Sequence, residues 1–295
     1  MVIAGPTAAG KTALAIELAN RFGAEIVSAD SRQFYREMNI GTAKPDALQM
    51  ASAPHHMINN KSVTELYGAG HFETDALMLI AELHKKNDVV ILAGGSGLYI
   101  DAVLKGVDEF EEVPVTVREA INAEYAVKGI EWLRGELKKA DPVFYGRVDT
   151  DNPQRMIRAL EVFRHTRKPF SSFHRNKKTV REFKAIKILL SPDRAELYNR
   201  INERVDAMIA RGLVEEARKL FPLRKNNALL TVGYKELFEH FEGRCTLQEA
   251  TEKIKQHTRN YAKRQLTWFA NRDTFTRFNP SETDKIVAFI RDQMK

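Results

Sequence analysis

Apolar residues come first in a short run, Met1-Val2-Ile3-Ala4, closed by Gly5. A run this brief next to a glycine reads as a buried strand. Leu14, Leu18 and Phe22 then recur four apart, which puts them on one face of a helix. Glu25-Ile26-Val27-Ser28-Ala29 is a second buried strand, ending at Asp30. Ile40 to Pro45 and Pro54-His55-His56 are irregular, and Pro45 ends the first of them. Phe72 to Lys85 is helical in pattern. Val89-Val90-Ile91-Leu92-Ala93 is the plainest buried strand, running into the turn Gly94-Gly95-Ser96-Gly97. Read together, the first hundred or so residues alternate strand and helix, the order of a parallel sheet with right-handed crossovers.

The pattern then changes. Between Asp108 and Lys184 the sequence offers charged helical patterns and no strand. Asp141-Pro142 breaks it, and Asp149 to Pro153 reads as a helix start. Gln154, Arg155 and Arg158 follow within one turn. Lys184 to Leu190 returns to strand. A helical segment between sheet strands predicts an inserted domain at 108–183, with 1–107 and 184–295 forming one core. A long helix is predicted over 194–220, broken near Gly212, with Arg200 and Arg204 sharing a face. Another spans Thr246 to Phe269. On it Ile254, Tyr261 and Trp268 recur at seven as a core stripe. Lys255, Arg259 and Lys263 recur at four, a basic stripe that by itself reads as a solvated face. Phe275 to Phe278 is a final strand, followed by a closing helix.

Composition narrows the class. A hydrophobic content of 43% supports a sizeable core. No run approaches the roughly 18 apolar residues of a membrane span, so no membrane partner is expected. The opening strand and glycine loop are not the pattern of a signal peptide. Cys245 is the only cysteine, which excludes internal disulfides and multi-cysteine zinc sites. A cytoplasmic protein is the expectation, and a monomer. The excess of 46 Lys+Arg over 39 Asp+Glu gives +7 and leans toward a polyanionic partner.

The first candidate chemistry lies at the end of the opening strand. Gly5, Pro6, Thr7, Ala8, Ala9, Gly10, Lys11 and Thr12 fit G-x-x-x-x-G-K-[ST] at every fixed position. Strand before and helix after is the context that motif requires. Backbone N–H groups of such a loop converge on an anion, and the helix N-terminus adds partial positive charge. Lys11 supplies a full charge and the Thr12 hydroxyl can ligate Mg²⁺. The expected fold is therefore α/β, a P-loop NTPase-like parallel sheet flanked by helices with an all-helical insertion. Ligands of open α/β sheets sit at the strands' carboxyl ends. Asp30 is thus expected near the seat, on a strand adjacent to that of the phosphate loop. His55 and His56, adjacent on an extended chain, point to opposite sides, which favours hydrogen-bonding roles over a shared metal.

Taken together these blocks resemble the tRNA dimethylallyltransferase (tRNA isopentenyltransferase) family. The resemblance rests on GPTAAGKT at 5–12, DSRQFY at 30–35, IGTAKP at 40–45, PHH at 54–56 and GGSGLYI at 94–100. It continues through DNPQRMIRALEV at 151–162, VGYKE at 232–236 and AKRQLTWF at 262–269. The blocks keep the family's order over nearly the whole chain. One departure is Ser96, where the family typically has Thr; the hydroxyl is kept. No extra zinc-binding tail of the kind some members carry is expected. The resemblance implies transfer of a dimethylallyl group from dimethylallyl diphosphate to N6 of the adenosine 3′ of a tRNA anticodon. It implies Lys11, Asp30, Ser96 and Arg204 as catalytic residues, with Asp30 a base or a Mg²⁺ ligand. It implies tRNA contacts at Asp30, Ser31, Arg32, Gln33, Ser96, Arg118, Gln154, Arg155, Met156, Ile157 and Arg158. Further contacts are implied at Gly233, Tyr234, Lys235, Lys263, Arg264, Gln265 and Trp268.

Two rivals share parts of this pattern. An adenylate isopentenyltransferase or a P-loop nucleotide kinase would act on a free nucleotide, and neither needs the segments Gln154–Arg158 and Lys263–Trp268. A nucleotide-switched RNA-binding module needs a Walker B carboxylate, but the strand at Val89–Ala93 ends in Gly94-Gly95.

Overall fold

The computed structural model describes residues 1–108, 113–173, 180–271 and 275–295. The described chain runs β1 (Val2–Ala4), α1 (Lys11–Phe22), β2 (Glu25–Ser28), α2 (Ala47–Ser52), β3 (His55–His56), α3 (Ala69–His84), β4 (Val90–Gly94) and α4 (Gly97–Lys105). Next come α5 (Val115–Ala140), α6 (Pro142–Tyr145) and α7 (Pro153–Thr166). The chain closes with β5 (Lys187–Leu190), α8 (Arg194–Ala210), α9 (Leu213–Leu220), α10 (Tyr234–Phe241), α11 (Leu247–Ala270), β6 (Thr276–Phe278) and α12 (Thr283–Met294). It forms two compact units, Met1–Lys105 with Arg181–Lys295, and Gly106–Val180.

In the larger unit a six-stranded sheet has the order β3-β2-β4-β1-β5-β6, and every pairing is parallel. This is a parallel sheet flanked by helices, as the alternation of strands and helices implied. The strands read as apolar runs because both faces are covered. Side chains alternate between the faces. Ile3, Ile26, Ile91, Ile188 and Leu190 pack with Leu14 and Leu18 of α1 and Ile286 and Ile290 of α12. Val2, Ala4, Val27, Leu92 and Leu189 face the opposite way, into a core with Phe72, Ile100, Leu237 and Phe269. One expectation is corrected by the strand order. β2 pairs with β4, and β4 with β1, so the strand carrying Asp30 lies two places from the phosphate-loop strand. The connection through α1 leaves a gap that β4 fills.

The regular elements among the smaller unit's described residues are all helices. Its core joins Ile121, Leu133 and Leu137 of α5 to Met156, Ile157 and Leu160 of α7. α5 is broken at Gly129, whose φ is 74°, a value glycine tolerates without strain. Asp141 caps α6 through the N–H of Phe144, and Pro142 begins that helix. Asn152 caps α7 through the N–H of Arg155, again with proline at its first position. Among the described residues no helix is long and apolar enough to cross a membrane.

Candidate active site

Three loops leave the carboxyl ends of β1, β2 and β4: the glycine loop 5–10, the segment from Asp30, and the turn from Gly95. They converge because Ala4 and Gly94 are register partners, as are Ser28 and Ala93. A cavity of about 540 Å³ opens there, lined by Thr7 to Ala13, Asp30 to Gln33, Ile40 to Lys44 and Arg204. The phosphate loop is braced from behind by a small apolar cluster of Ala8, Leu197, Ile201 and Ala262, which fixes it against α8 and α11.

The electrostatics suit an anion. Lys11 donates from Nζ to Pro6 O at 2.8 Å. Burial, helped by nearby Arg204 and opposed by Asp30, holds the Lys11 ammonium down at a pKa of about 8. Arg204 reaches across from α8 to Thr7 Oγ1 at 3.5 Å, and burial lowers its pKa too. Two buried cations facing one loop repel each other, and a bound polyphosphate would relieve both. Arg200, expected beside Arg204, instead pairs with Glu196 at the surface, 2.5 Å away.

Opposite the phosphate loop, Asp30 accepts the Arg32 N–H on Oδ1 at 2.9 Å. The Ser96 hydroxyl accepts the Ser31 N–H at 2.9 Å and shares a hydrogen bond with Tyr261, whose pKa burial and Asp30 push up to about 12. Ser96 therefore ties the turn after β4 to the loop after β2. Gln33 is held at both ends, accepting from Ser28 Oγ at 3.0 Å and donating to Thr42 O and Ala43 O at 3.3 and 3.2 Å. Between these polar walls the lining is apolar: Ile40, Val205, Met208, Leu213, Val232 and Ile254.

Other expectations require correction. Gln265 does not face solvent for RNA; it is 7% exposed and rivets two loops. Its Oε1 accepts the Thr7 N–H at 2.8 Å, and its Nε2 donates to Gly95 O at 2.8 Å. A Cβ at Gly95 would stand 2.3 Å from that nitrogen, so a larger residue there would push the Gln265 amide aside. Tyr261 belongs to the cavity wall rather than to a core stripe, and the buried face of α11 is Ala250, Ile254, Ala262, Gln265 and Phe269. Trp268 is half-buried, its ring against Gly97. Lys255 and Arg259 are spent on Asp206 and Asn202 of α8. That leaves Lys263 and Arg264 as the exposed basic residues, with Arg264 5.8 Å over the Tyr261 ring. Tyr234 is wholly buried and donates to Glu216, so its side chain is not available to RNA, whereas Lys235 is exposed and Gly233 lines the cavity.

In the helical unit, Gln154 and Arg155 are exposed, but Met156 and Ile157 point into the core. A helix turns 100° per residue, so five consecutive positions cannot share one face. Arg118 donates to Glu161 Oε2 and Oε1 at 2.5 and 3.1 Å, and Arg158 donates to the same carboxylate. Glu161 is 2% exposed, so two half-exposed guanidiniums are pinned over one buried charge. Sequence reading missed Glu161, Glu216 and Tyr261. The i,i+3 spacing of Arg158 and Glu161 was a usable signal for the first.

As for a metal, Thr12 and Asp30 both line the cavity. Hydroxyl and carboxylate oxygens are the donors Mg²⁺ prefers, with substrate phosphate and water completing its shell. The residues present fit that ion.

Residues 33–272 match the model of a family described as IPP transferase. The chain is 47% identical to tRNA dimethylallyltransferase 2 of Parabacteroides distasonis, over all of this chain and 98% of that one. It is 49% identical to tRNA dimethylallyltransferase of Flavobacterium johnsoniae, with the same coverage. Among solved structures it resembles the tRNA isopentenylpyrophosphate transferase of Bacillus halodurans, at TM-score 0.72 and 35% identity, covering 99% of this chain and 95% of that one. It also resembles a eukaryotic dimethylallyltransferase captured acting on tRNA, at TM-score 0.78 and 25% identity, covering 99% and 76%.

Proposed function

Since the chain belongs to the IPP transferase family, we propose that it is a tRNA dimethylallyltransferase. Its donor is dimethylallyl diphosphate and its acceptor N6 of the adenosine 3′ of the anticodon. The observation that carries this reading is the composition of one cavity. A phosphate loop with Lys11 and Arg204 stands on one wall, a carboxylate on another, and apolar side chains lie between. A nucleotide kinase needs no greasy surface next to its phosphates, whereas a prenyl diphosphate does.

In the reaction the C1–O bond to diphosphate breaks and a bond from N6 to C1 forms. Negative charge grows on the leaving diphosphate, where Lys11, Arg204 and the loop N–H groups stabilise it. The adenine amine is a weak nucleophile, because its lone pair is delocalised into the ring. Asp30 orients it and takes its proton as the new bond forms. Thr12 would hold Mg²⁺, which would add positive charge beside the diphosphate. Val205, Met208 and Ile254 shield the developing allylic cation from water. The base must leave its stack to reach this site.

For tRNA we propose contacts from Ser31, Arg32, Gln33, Gly233, Lys235, Lys263, Arg264 and Trp268 on one unit, and Arg118, Gln154, Arg155 and Arg158 on the other. Arginines and lysines that reach solvent, wholly or in part, grip phosphates. Ser96 acts by holding the Ser31 loop. A cytoplasmic monomer fits the proposal. It is tested by incubating the protein with tRNA and dimethylallyl diphosphate labelled in its prenyl group. Label retained in the tRNA supports the reading. No transfer, with phosphate moved from ATP to a nucleotide instead, overturns it.

A further inference from the structure

Glu216, on α9, carries an unusual load. Its Oε2 accepts the N–H groups of Asn39 and Ile40 at 3.0 and 2.8 Å. Its Oε1 accepts the N–H of Gly41 at 3.0 Å and the Tyr234 hydroxyl at 2.6 Å. A carboxylate has about four lone-pair sites, and all are used. Three successive backbone N–H groups aimed at one point form an anion-binding concavity, and here a side chain of the protein fills it. The fit is close. A Cβ at Gly41 would stand 2.6 Å from the Tyr234 ring, so the loop backbone lies directly on that buried tyrosine.

The loop so held is not peripheral. Ile40, Gly41, Thr42, Ala43 and Lys44 form one rim of the cavity. Thr42 O and Ala43 O receive Gln33 Nε2, which sits three residues after Asp30. Lys44 closes the loop from its far side, donating to Tyr35 O, Asn39 Oδ1 and Asn59 Oδ1 at 2.8, 2.9 and 2.6 Å. A chain of hydrogen bonds thus runs from Tyr234 through Glu216 and the rim to the loop that bears Asp30. None of these bonds reaches the phosphate loop.

We propose that Glu216 is a positioning residue for the acceptor side of the site: with Tyr234 as its buried donor, it fixes the 39–44 rim so that Gln33 and the Asp30 loop are preset to receive the incoming base. This rests on the functional reading given above. Glu216→Gln removes one oxygen and turns an NH₂ group toward backbone N–H donors. Tyr234→Phe removes one donor and leaves the rest. The experiment measures, for both variants, single-turnover prenylation of tRNA, affinity for inorganic pyrophosphate, and amide exchange at residues 39–41. Glu216→Gln is expected to slow transfer by about ten- to a hundredfold, the factor one lost charge-assisted hydrogen bond carries. Tyr234→Phe should fall between it and wild type. Pyrophosphate affinity should stay within about twofold, and exchange at the three amides should rise. Unchanged transfer overturns the proposal. So does pyrophosphate affinity falling in step with the rate, which marks general collapse of the cavity. If the wild-type protein transfers nothing to tRNA, the functional reading fails separately. Amide exchange then decides the latch: protection in wild type that is lost in Glu216→Gln supports it, and unprotected amides in wild type overturn it.

Discussion

Gln265→Leu should weaken the active-site scaffold by a calculable amount. The change keeps volume nearly constant but removes both ends of the rivet between the phosphate loop and the turn after β4. Gly95 O, buried, and Thr7 N–H, half-buried, lose their partners at 2.8 Å. An unmet buried polar group costs about 1–3 kcal/mol, and the half-buried amide recovers part of its share from water. Leucine returns about 1 kcal/mol through extra apolar burial. The net loss is about 1–3 kcal/mol. For a folded unit of this size that lowers the melting midpoint by about 2–12 °C. Because Thr7 belongs to the phosphate seat, the KM for dimethylallyl diphosphate should rise as well. Thermal melts followed by circular dichroism, beside steady-state kinetics, check both. A variant that melts within about 1 °C of wild type with an unchanged KM would refute the reasoning that Gln265 holds the two loops.

The other predictions concern chemistry, charge and RNA. Asp30→Asn should cut single-turnover prenylation by about a hundredfold or more while Mg²⁺-dependent binding of a diphosphate analogue stays near normal. Collapse of that binding along with the rate would make Asp30 a metal ligand. Burial holds Lys11 at a pKa of about 8 against an ordinary 10.5. Between those values the unfolded chain binds the extra proton, so this group's contribution to stability rises with pH across the window. A bound diphosphate favours the ammonium form, so pyrophosphate affinity should fall by up to about tenfold per pH unit above pH 8. Binding there should take up a proton, which calorimetry in buffers of different ionisation enthalpy detects. Arg155→Ala, Arg158→Ala and Lys263→Ala should each weaken tRNA binding and lower the salt slope by about one for each phosphate no longer neutralised. Unchanged affinity and slope in all three would return these residues to the solvated surface.

Local pattern carried most of the fold. The apolar runs at Val2–Ala4 and Val90–Gly94 and the glycine loop between strand and helix are short-range signals, and they appear where expected. What local pattern could not carry was lateral order and side-chain commitment. That β4 stands between β1 and β2 depends on non-local pairing, which spacing along the chain does not encode. Of the stripe Ile254, Tyr261 and Trp268, Ile254 lies in the core and Trp268 packs against it, and only Tyr261 departs. Tyr261 lines the cavity, while the spacing of three and four through Ala262, Gln265 and Phe269 stays buried. Gln265, Tyr234 and Glu161 look like surface chemistry in a sequence. Only the folded chain reveals them holding a loop, a carboxylate and a pair of arginines.

The most direct test of the central claim is where the prenyl group goes. Unmodified tRNA and, separately, adenosine monophosphate are incubated with the protein, Mg²⁺ and dimethylallyl diphosphate, then digested to nucleosides and analysed by mass spectrometry. The account predicts N6-dimethylallyladenosine from the tRNA alone, mapped by fragment sequencing to the nucleotide 3′ of the anticodon, and none from the free nucleotide. Modification of adenosine monophosphate with the tRNA left unchanged would contradict it.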